Sequence, residues 1–465
     1  MKEQEQKTAD LGSGKVGRLL FRLAVPAITA QLVNMLYNIV DRMYIGHIPE
    51  IGAAALTGVG VTFPILMIIS AFSSLIGMGG APRASIKMGQ KDVEGAEKIL
   101  GNCFVTLVGI SIILTVLFLI LGEDLLLLFG ASENTIAYGT QYLTIYVSGT
   151  IFVQMALGLN TFISAQGFAK TSMMTVIIGA ISNIILDPIF IFVLDMGVRG
   201  AAVATIISQA ISSAWVVRFL SGPKTLLRIR RENFAWRPSV MLPVLALGVS
   251  PFIMQSTESL VNICLNSSLQ RYGGDLYVGA MTIMASVMQI LMMPLVGLTQ
   301  GAQPIISFNF GAGRQDRVKK AFKLLLTSSL IFTTVFWLLV MLCPKIFIMI
   351  FNNNPAIVEI TQRSMRIYMA GAFLLGAQIA CQQTFLSLGQ ALITMLLAML
   401  RKIILLIPLI YILPMVLADK VTAVFLAEPI ADVLAAVTTV IVFTVLVKRI
   451  LAHGAAPNAD KQGGA

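Results

Sequence analysis

In the stretch SNIILDPIFIF, residues 182–192, Asp187 stands among Ile, Leu and Phe. A carboxylate in an apolar helix costs roughly 2.5–3.5 kcal/mol at the centre of a bilayer, so it is normally partnered or functional. Three other oxygen-bearing side chains read as neighbours. Asn183 precedes Asp187 by one helical turn and shares its face. Asp41 and Thr205 fall at similar depth in the apolar segments around them. Pro188 has no amide hydrogen, so the carbonyl of Ile184 is left free beside the same turn. Two carboxylates, an amide oxygen, a hydroxyl and a carbonyl could ligate Na+, a hard cation suited to oxygen. The carboxyl pair could equally share a proton, because adjacent acids in a low dielectric cannot both stay ionised. Tyr37, one turn before Asp41, could donate a hydrogen bond into this group. A plainer reading pairs Asp41 with its neighbour Arg42 near the headgroups.

A second set of charges lies in the other half of the chain. Glu258, Glu428 and Asp432 are the acids, and Arg401 and Lys402 the bases. At similar depth they predict a buried ion-pair network with one negative charge to spare. One reading makes this a structural lock; another gives Glu258 a part in recognising protons or cationic cargo.

These residues need a membrane to make sense. Of the 465 residues, 57% are hydrophobic and 12% charged, about half the charge of an ordinary soluble domain, roughly 25%. The mean hydropathy is +0.86. Apolar spans of bilayer length are read at 18–46, 56–81, 99–121, 136–162, 173–194, 198–220, 240–270, 277–306, 321–343, 357–386, 391–415 and 421–447. The polar N-terminus lacks the apolar core and cleavage site of a signal peptide. An even number of spans puts both termini on one side. Most of the 33 lysines and arginines fall in the loops of that side, so it is expected to be the cytoplasm and the membrane the plasma membrane. The net charge of +11 is thus a topology signal, not one for nucleic acid. The basic connection 224–238 could also touch anionic headgroups. Cys103, Cys264, Cys343 and Cys381 show neither metal-ligand spacing nor a pairing pattern. No HExxH, phosphate loop or triad is present, and the two histidines, His47 and His453, suggest no catalysis, so an enzyme is not expected.

The chain also repeats itself. FGASENTIAYGTQYLTIYVSG (129–149) aligns with FNNNPAIVEITQRSMRIYMAG (351–371) at an offset of 222. Phe129 pairs with Phe351, Tyr146 with Tyr368 and Gly149 with Gly371. TFISAQG (161–167) faces TFLSLG (384–389), and GAPRASIKMGQKD (80–92) resembles AQPIISFNFGAGRQD (302–316) with two residues inserted. Each copy holds an even number of spans, so the copies are parallel repeats, an arrangement typical of secondary transporters. The expected layout is an N-terminal lobe over 1–220, a linker over 221–239, a C-terminal lobe over 240–449 and a tail over 450–465. Aligning Pro188 with Pro408 puts Ile407 in the place of Asp187, so the second lobe does not copy the first lobe's acids.

QPIISFNFGAG (303–313), NIVDRMYIG (38–46), SNIILDPIFIF (182–192) and LAEPIAD (426–432) resemble motifs of the MATE family, the multidrug and toxic-compound extrusion antiporters, and most closely its Gram-positive drug-exporting branch. The resemblance runs through every span. It implies an all-α membrane protein of two six-helix lobes in a V around a central cavity. It implies export of amphiphilic, mostly cationic compounds against H+ or Na+, with no cofactor and with the monomer as the working unit. It carries a cation-coupling role to Asp41, Asn183, Asp187 and Thr205, and a helix bend to Pro26. Gln303 lies in the QPIISFN motif, and Met288 and Met292 are candidates for an adaptable apolar cavity wall. A rival within the same superfamily is a flippase for lipid-linked precursors. Five intramembrane acids against two bases favour cationic cargo over pyrophosphate.

Overall fold

The computed structural model describes residues 11–351 and 355–453. The first ten residues, part of the repeat at 352–354 and most of the C-terminal tail lie outside the described residues. With no water in the bilayer core, each span must satisfy its own backbone hydrogen bonds, so the apolar segments fold as helices. They are α1 (Val16–Gly46), α2 (Gly52–Gly89), α3 (Val93–Leu128), α4 (Ile136–Ser148), α5 (Thr150–Ala165), α6 (Ala169–Pro188), α7 (Gly197–Ser221), α8 (Pro238–Gly273), α9 (Asp275–Gly311), α10 (Gln315–Leu342), the short α11 (Pro344–Met349), α12 (Pro355–Tyr368), α13 (Leu375–Ser387), α14 (Ala391–Met399), α15 (Ile407–Val416) and α16 (Lys420–His453).

Among the described residues, ten helical stretches are long and apolar enough to cross a membrane, and two bent pairs bring the number to twelve. Counted as one span each, the bent pairs agree with the sequence reading of 136–162 and 357–386 as single spans, and add that both are broken in the middle. α4 and α5 meet at 59°, and α12 and α13 at 49°. The breaks fall at the repeat-related Gly149 and at Gly371. A Cβ at Gly149 would lie 2.4 Å from the Ile206 side chain, and one at Gly371 would meet the Pro429 carbonyl at 3.0 Å. The bends bring these backbones against neighbouring helices too closely for a side chain.

The two copies form two lobes whose main contacts are crosswise, α2 against α8 and α1 against α9. Small residues allow this approach. A Cβ on Gly79 would sit 2.2 Å from the Val244 carbonyl, and one on Gly301 would sit 2.5 Å from the Ala24 Cα. Gly79 and Gly301 are equivalent under the offset of 222, so the seam is two-fold symmetric to a good approximation. Leu11 to Leu23 pack with Ile305, Ile306 and Leu325 into one core shared by both lobes. The first and last described residues lie at this end: Gln315 Nε2 donates to the Leu451 carbonyl at 2.8 Å, and Arg317 Nη1 to that of Gly14 at 2.8 Å. Toward the opposite end Leu36, Met43, Leu260 and Ile263 are exposed.

The connection between lobes is ordered on the N-terminal lobe. Gln166 Oε1 accepts from the Thr225 hydroxyl and from the amides of Leu226 and Leu227, at 2.8–2.9 Å. Asn102 Oδ1 accepts from the Arg237 amide at 2.7 Å.

Candidate functional site

α6 presents Asn183 and Asp187 on one face, one turn apart, and turns that face inward: Asn183 is 1% exposed and Asp187 0%. Asn183 Nδ2 donates to Asp187 Oδ1 at 3.1 Å and reaches Thr205 Oγ1 on α7 at 3.4 Å. α1 brings Asp41 near enough to Asp187 for the two carboxyl groups to act on one another. All four residues named from the sequence are thus brought together by three helices. Buried oxygens of Asp41, Asn183 and Asp187 have no hydrogen-bond partner in the protein. Acceptors outnumber donors here, which suits a proton shared between carboxylates or a small cation held by oxygens.

Arg42 does not cap this pair. Its guanidinium lies over the Phe63 ring, 5.4 Å from the centroid. After Pro188 the helix continues as a π turn, Ile189–Val193. The missing amide hydrogen of Pro188 breaks the regular ladder at this point, and such wide turns recur at functional sites. α1, by contrast, runs through Pro26 without interruption.

Sequence reasoning missed two tyrosines. Tyr142 and Tyr146 of α4 stack with ring centroids 6.1 Å apart and an interplanar angle of 18°. Tyr142 lies near Thr205 and Asp41. Tyr37 lines the same small cavity as Asn183 and Thr205. The four-residue spacing in YLTIY, and the pairing of Tyr146 with Tyr368 across the repeat, were the available signals.

The C-terminal lobe assembles its own cluster. Arg401 Nε donates to Asp432 Oδ1 at 2.7 Å and Nη2 to Glu428 Oε1 at 3.0 Å. Lys402 pairs with Glu258 and donates to the Met254 carbonyl at 2.8 Å. The Glu258 side chain is 57% exposed, against 1% for that of Asp432. Arg401 and Lys402 sit in a second π-helical stretch, Leu400–Leu406, just before Pro408. Tyr368, the repeat partner of Tyr146, faces Glu428 and Asp432.

Of the other residues singled out, Gln303 lines a cavity of about 180 Å³ between α1, α5, α6 and α9 and accepts from Gln383 Nε2 at 3.4 Å. Met292 lines a space of about 20 Å³ beside Arg401 and Lys402. Met288 packs against the core of the C-terminal lobe.

The MatE family model matches residues 26–189 and 251–412, one stretch in each lobe and most of the chain. The chain belongs to the MATE family. Among curated relatives of this MATE protein, the multidrug export protein MepA of Staphylococcus haemolyticus is 25% identical over 359 residues, 77% of this chain and 78% of its own length. Among solved structures, the MATE multidrug transporter DinF-BH in complex with a rhodamine dye is 35% identical, with a TM-score of 0.85 over 93% of this chain and 96% of that one. A MATE protein in the bent conformation reaches a TM-score of 0.90 at 20% identity, covering 97% and 99%. This second likeness speaks for the fold alone.

Proposed function

We propose that this chain is a multidrug efflux antiporter of the plasma membrane, with both termini in the cytoplasm. It exports small amphiphilic, mostly cationic compounds in exchange for H+ or Na+. The observation that carries this reading is the nearness of Asp41 to Asp187, with Asp187, Asn183 and Thr205 hydrogen-bonded together and buried among apolar helices. Two ionised carboxylates at about 4 Å repel by about 4 kcal/mol at an effective dielectric near 20. One positive occupant removes that repulsion, so the occupied and empty states differ in the force between α1 and α6. Names of relatives add weight: MepA is a multidrug export protein, and DinF-BH was solved with a rhodamine dye bound.

The close approaches between lobes lie toward the end bearing the termini, and we take this conformation to be the one that faces outward. A cation enters from outside and draws the acids together. Cargo and cation then exclude each other, and rocking of the lobes exposes them to opposite sides in turn. One charge moving through 100 mV supplies about 2.3 kcal/mol, and a concentration gradient adds to it. Membrane lipids are its solvent, and the monomer holds the complete site.

The flippase alternative calls for basic groups free to bind pyrophosphate. Arg401 and Lys402 are both held by acids, which favours the antiporter. The deciding experiment loads a rhodamine dye or ethidium into reconstituted vesicles and imposes a pH gradient or a Na+ gradient separately. Efflux driven by one gradient is expected. No response to either, across several lipophilic cations, would turn the assignment toward the flippase.

A further inference from the structure

Beyond the acid pair, the N-terminal lobe and the α9 face packed against it enclose a feature that the exchange scheme does not use. Two cavities, of about 180 and about 50 Å³, adjoin one another, both being lined by Asn34 and Asn160. The smaller touches Asn183 and Thr205. The larger runs from Asn34 down to Leu23 on α1, about 16 Å at 1.5 Å per residue, and ends at Ala165 and Ala169. Those two residues flank the α5–α6 turn at the end of the molecule that bears the termini. The lining is mostly apolar, set with uncharged polar groups such as Asn34, Asn160 and Ser172, and carries no charged side chain. Ser164 Oγ donates to Ser172 Oγ at 2.7 Å, and Asn160 Nδ2 to the Ser172 carbonyl at 3.2 Å. Asn160 Oδ1 is buried and has no partner in the protein.

Over this end lies a strap. Leu11, 1% exposed, packs against Gly167 in the α5–α6 turn and shares a core with Ala169. The strap is held by the other lobe. Asn309 Nδ2 donates to the Leu11 carbonyl at 2.9 Å, Arg317 donates to those of Ser13 and Gly14 at 2.8 Å each, and Arg314 to that of Gly12.

We propose that the two cavities form the release route of the coupling ion, from the Asp41–Asp187 site along α1, between α5 and α6 of the N-terminal lobe and α9 of the other. Leu11 is the plug at its far end, held shut by the C-terminal lobe. This rests on the antiport reading and adds to it a defined route for the ion, ending under the Leu11 strap. Size argues for an ion: a space of about 50 Å³ admits water, at about 30 Å³ each in the liquid, and no drug-sized molecule, which needs about 300 Å³ or more. Chemistry agrees, since neutral oxygens solvate a cation without trapping it as a carboxylate would. When the lobes part at this end, Asn309 and Arg317 withdraw from the strap and the route opens. Release is thereby tied to the movement that exposes the cargo site.

The test places a cysteine at Ser172 in a chain whose four native cysteines are serine. Its reaction with a small methanethiosulfonate ammonium reagent is then timed from each face of oriented vesicles. With the native strap, reaction from the terminal face is expected to be slow. Removing the charged hydrogen bonds by Arg317→Ala, or the plug by Leu11→Gly, should speed it about tenfold, the opening expected for loss of one charge-assisted bond. Equal rates with and without the strap, or rapid reaction only from the opposite face, would overturn the proposal. Two strap variants guard against one failing to fold. If the antiport reading fails instead, ion-driven efflux will persist in Asp187→Asn, while the labelling result stands unaltered.

Discussion

Gly89 and Gly311 meet the opposite lobe reciprocally. A Cβ on Gly89 would lie 2.1 Å from the Phe308 carbonyl, and one on Gly311 would lie 2.0 Å from that of Ile86. The same offset of 222 that relates the two halves of the sequence relates both members of this contact. The two-fold axis therefore passes between α2 and α9 at the end where the lobes are joined, and hydrogen side chains let the backbones touch.

Gly311→Val should act as a wedge at that point. Overpacking a tight contact costs about 1–3 kcal/mol, all of it charged to the joined arrangement. Spin labels at this end of α2 and α9 should show a longer separation by double electron–electron resonance, with weaker efflux. An unchanged distance distribution with full efflux would contradict the role given to the seam.

Arg401 is the only base bonded to both Glu428 and Asp432 among the described residues. Arg401→Met would leave two buried acids unpaired, at a cost of about 3–5 kcal/mol. Thermal unfolding in detergent should register it. Adding Glu428→Gln and Asp432→Asn should restore most of the loss, because neutral side chains need no counter-charge. A triple variant as unstable as the single one would show that packing, not charge, holds this region.

Glu258 differs from the other acids of its lobe in being exposed while bound to a buried Lys402. Glu258→Gln would uncover the ammonium group. Cationic dyes should then bind less tightly by about 1 kcal/mol once solvent screening is allowed for, with neutral ligands little changed. Equal loss for both kinds of ligand in a binding titration would count against charge recognition here.

The sequence announced some of these features and hid others for physical reasons. Asp187 stood out because a carboxylate before a proline in an apolar run has few explanations, and Asn183 followed from helical spacing. Arg401 and the acids of α16 were legible for the same reason: charge is costly in a bilayer. Tyr142 and Tyr146 were not, because an aromatic ring in an apolar helix looks like any other lipid-facing or core residue. The strap was hidden more deeply. Arg317 reads as one more basic residue of a terminal-side loop, and its partners at Ser13 and Gly14 lie some three hundred residues away. The bends at Gly149 and Gly371 were passed over since 136–162 and 357–386 are apolar enough to be straight spans. Only the crowding of Ile206 and Pro429 against those glycines reveals why they are not.

Everything in the transport scheme depends on Asp187 and Asp41 holding one positive ion between them and exchanging it for cargo. The most direct measurement is counterflow: a dye gradient is imposed across reconstituted vesicles, and the H+ or Na+ it drives the other way is recorded. The native protein should move one of these ions in proportion to dye, and Asp187→Asn, inserted to the same level, should move neither. Ion counterflow of equal size in the native protein and in Asp187→Asn would contradict the account.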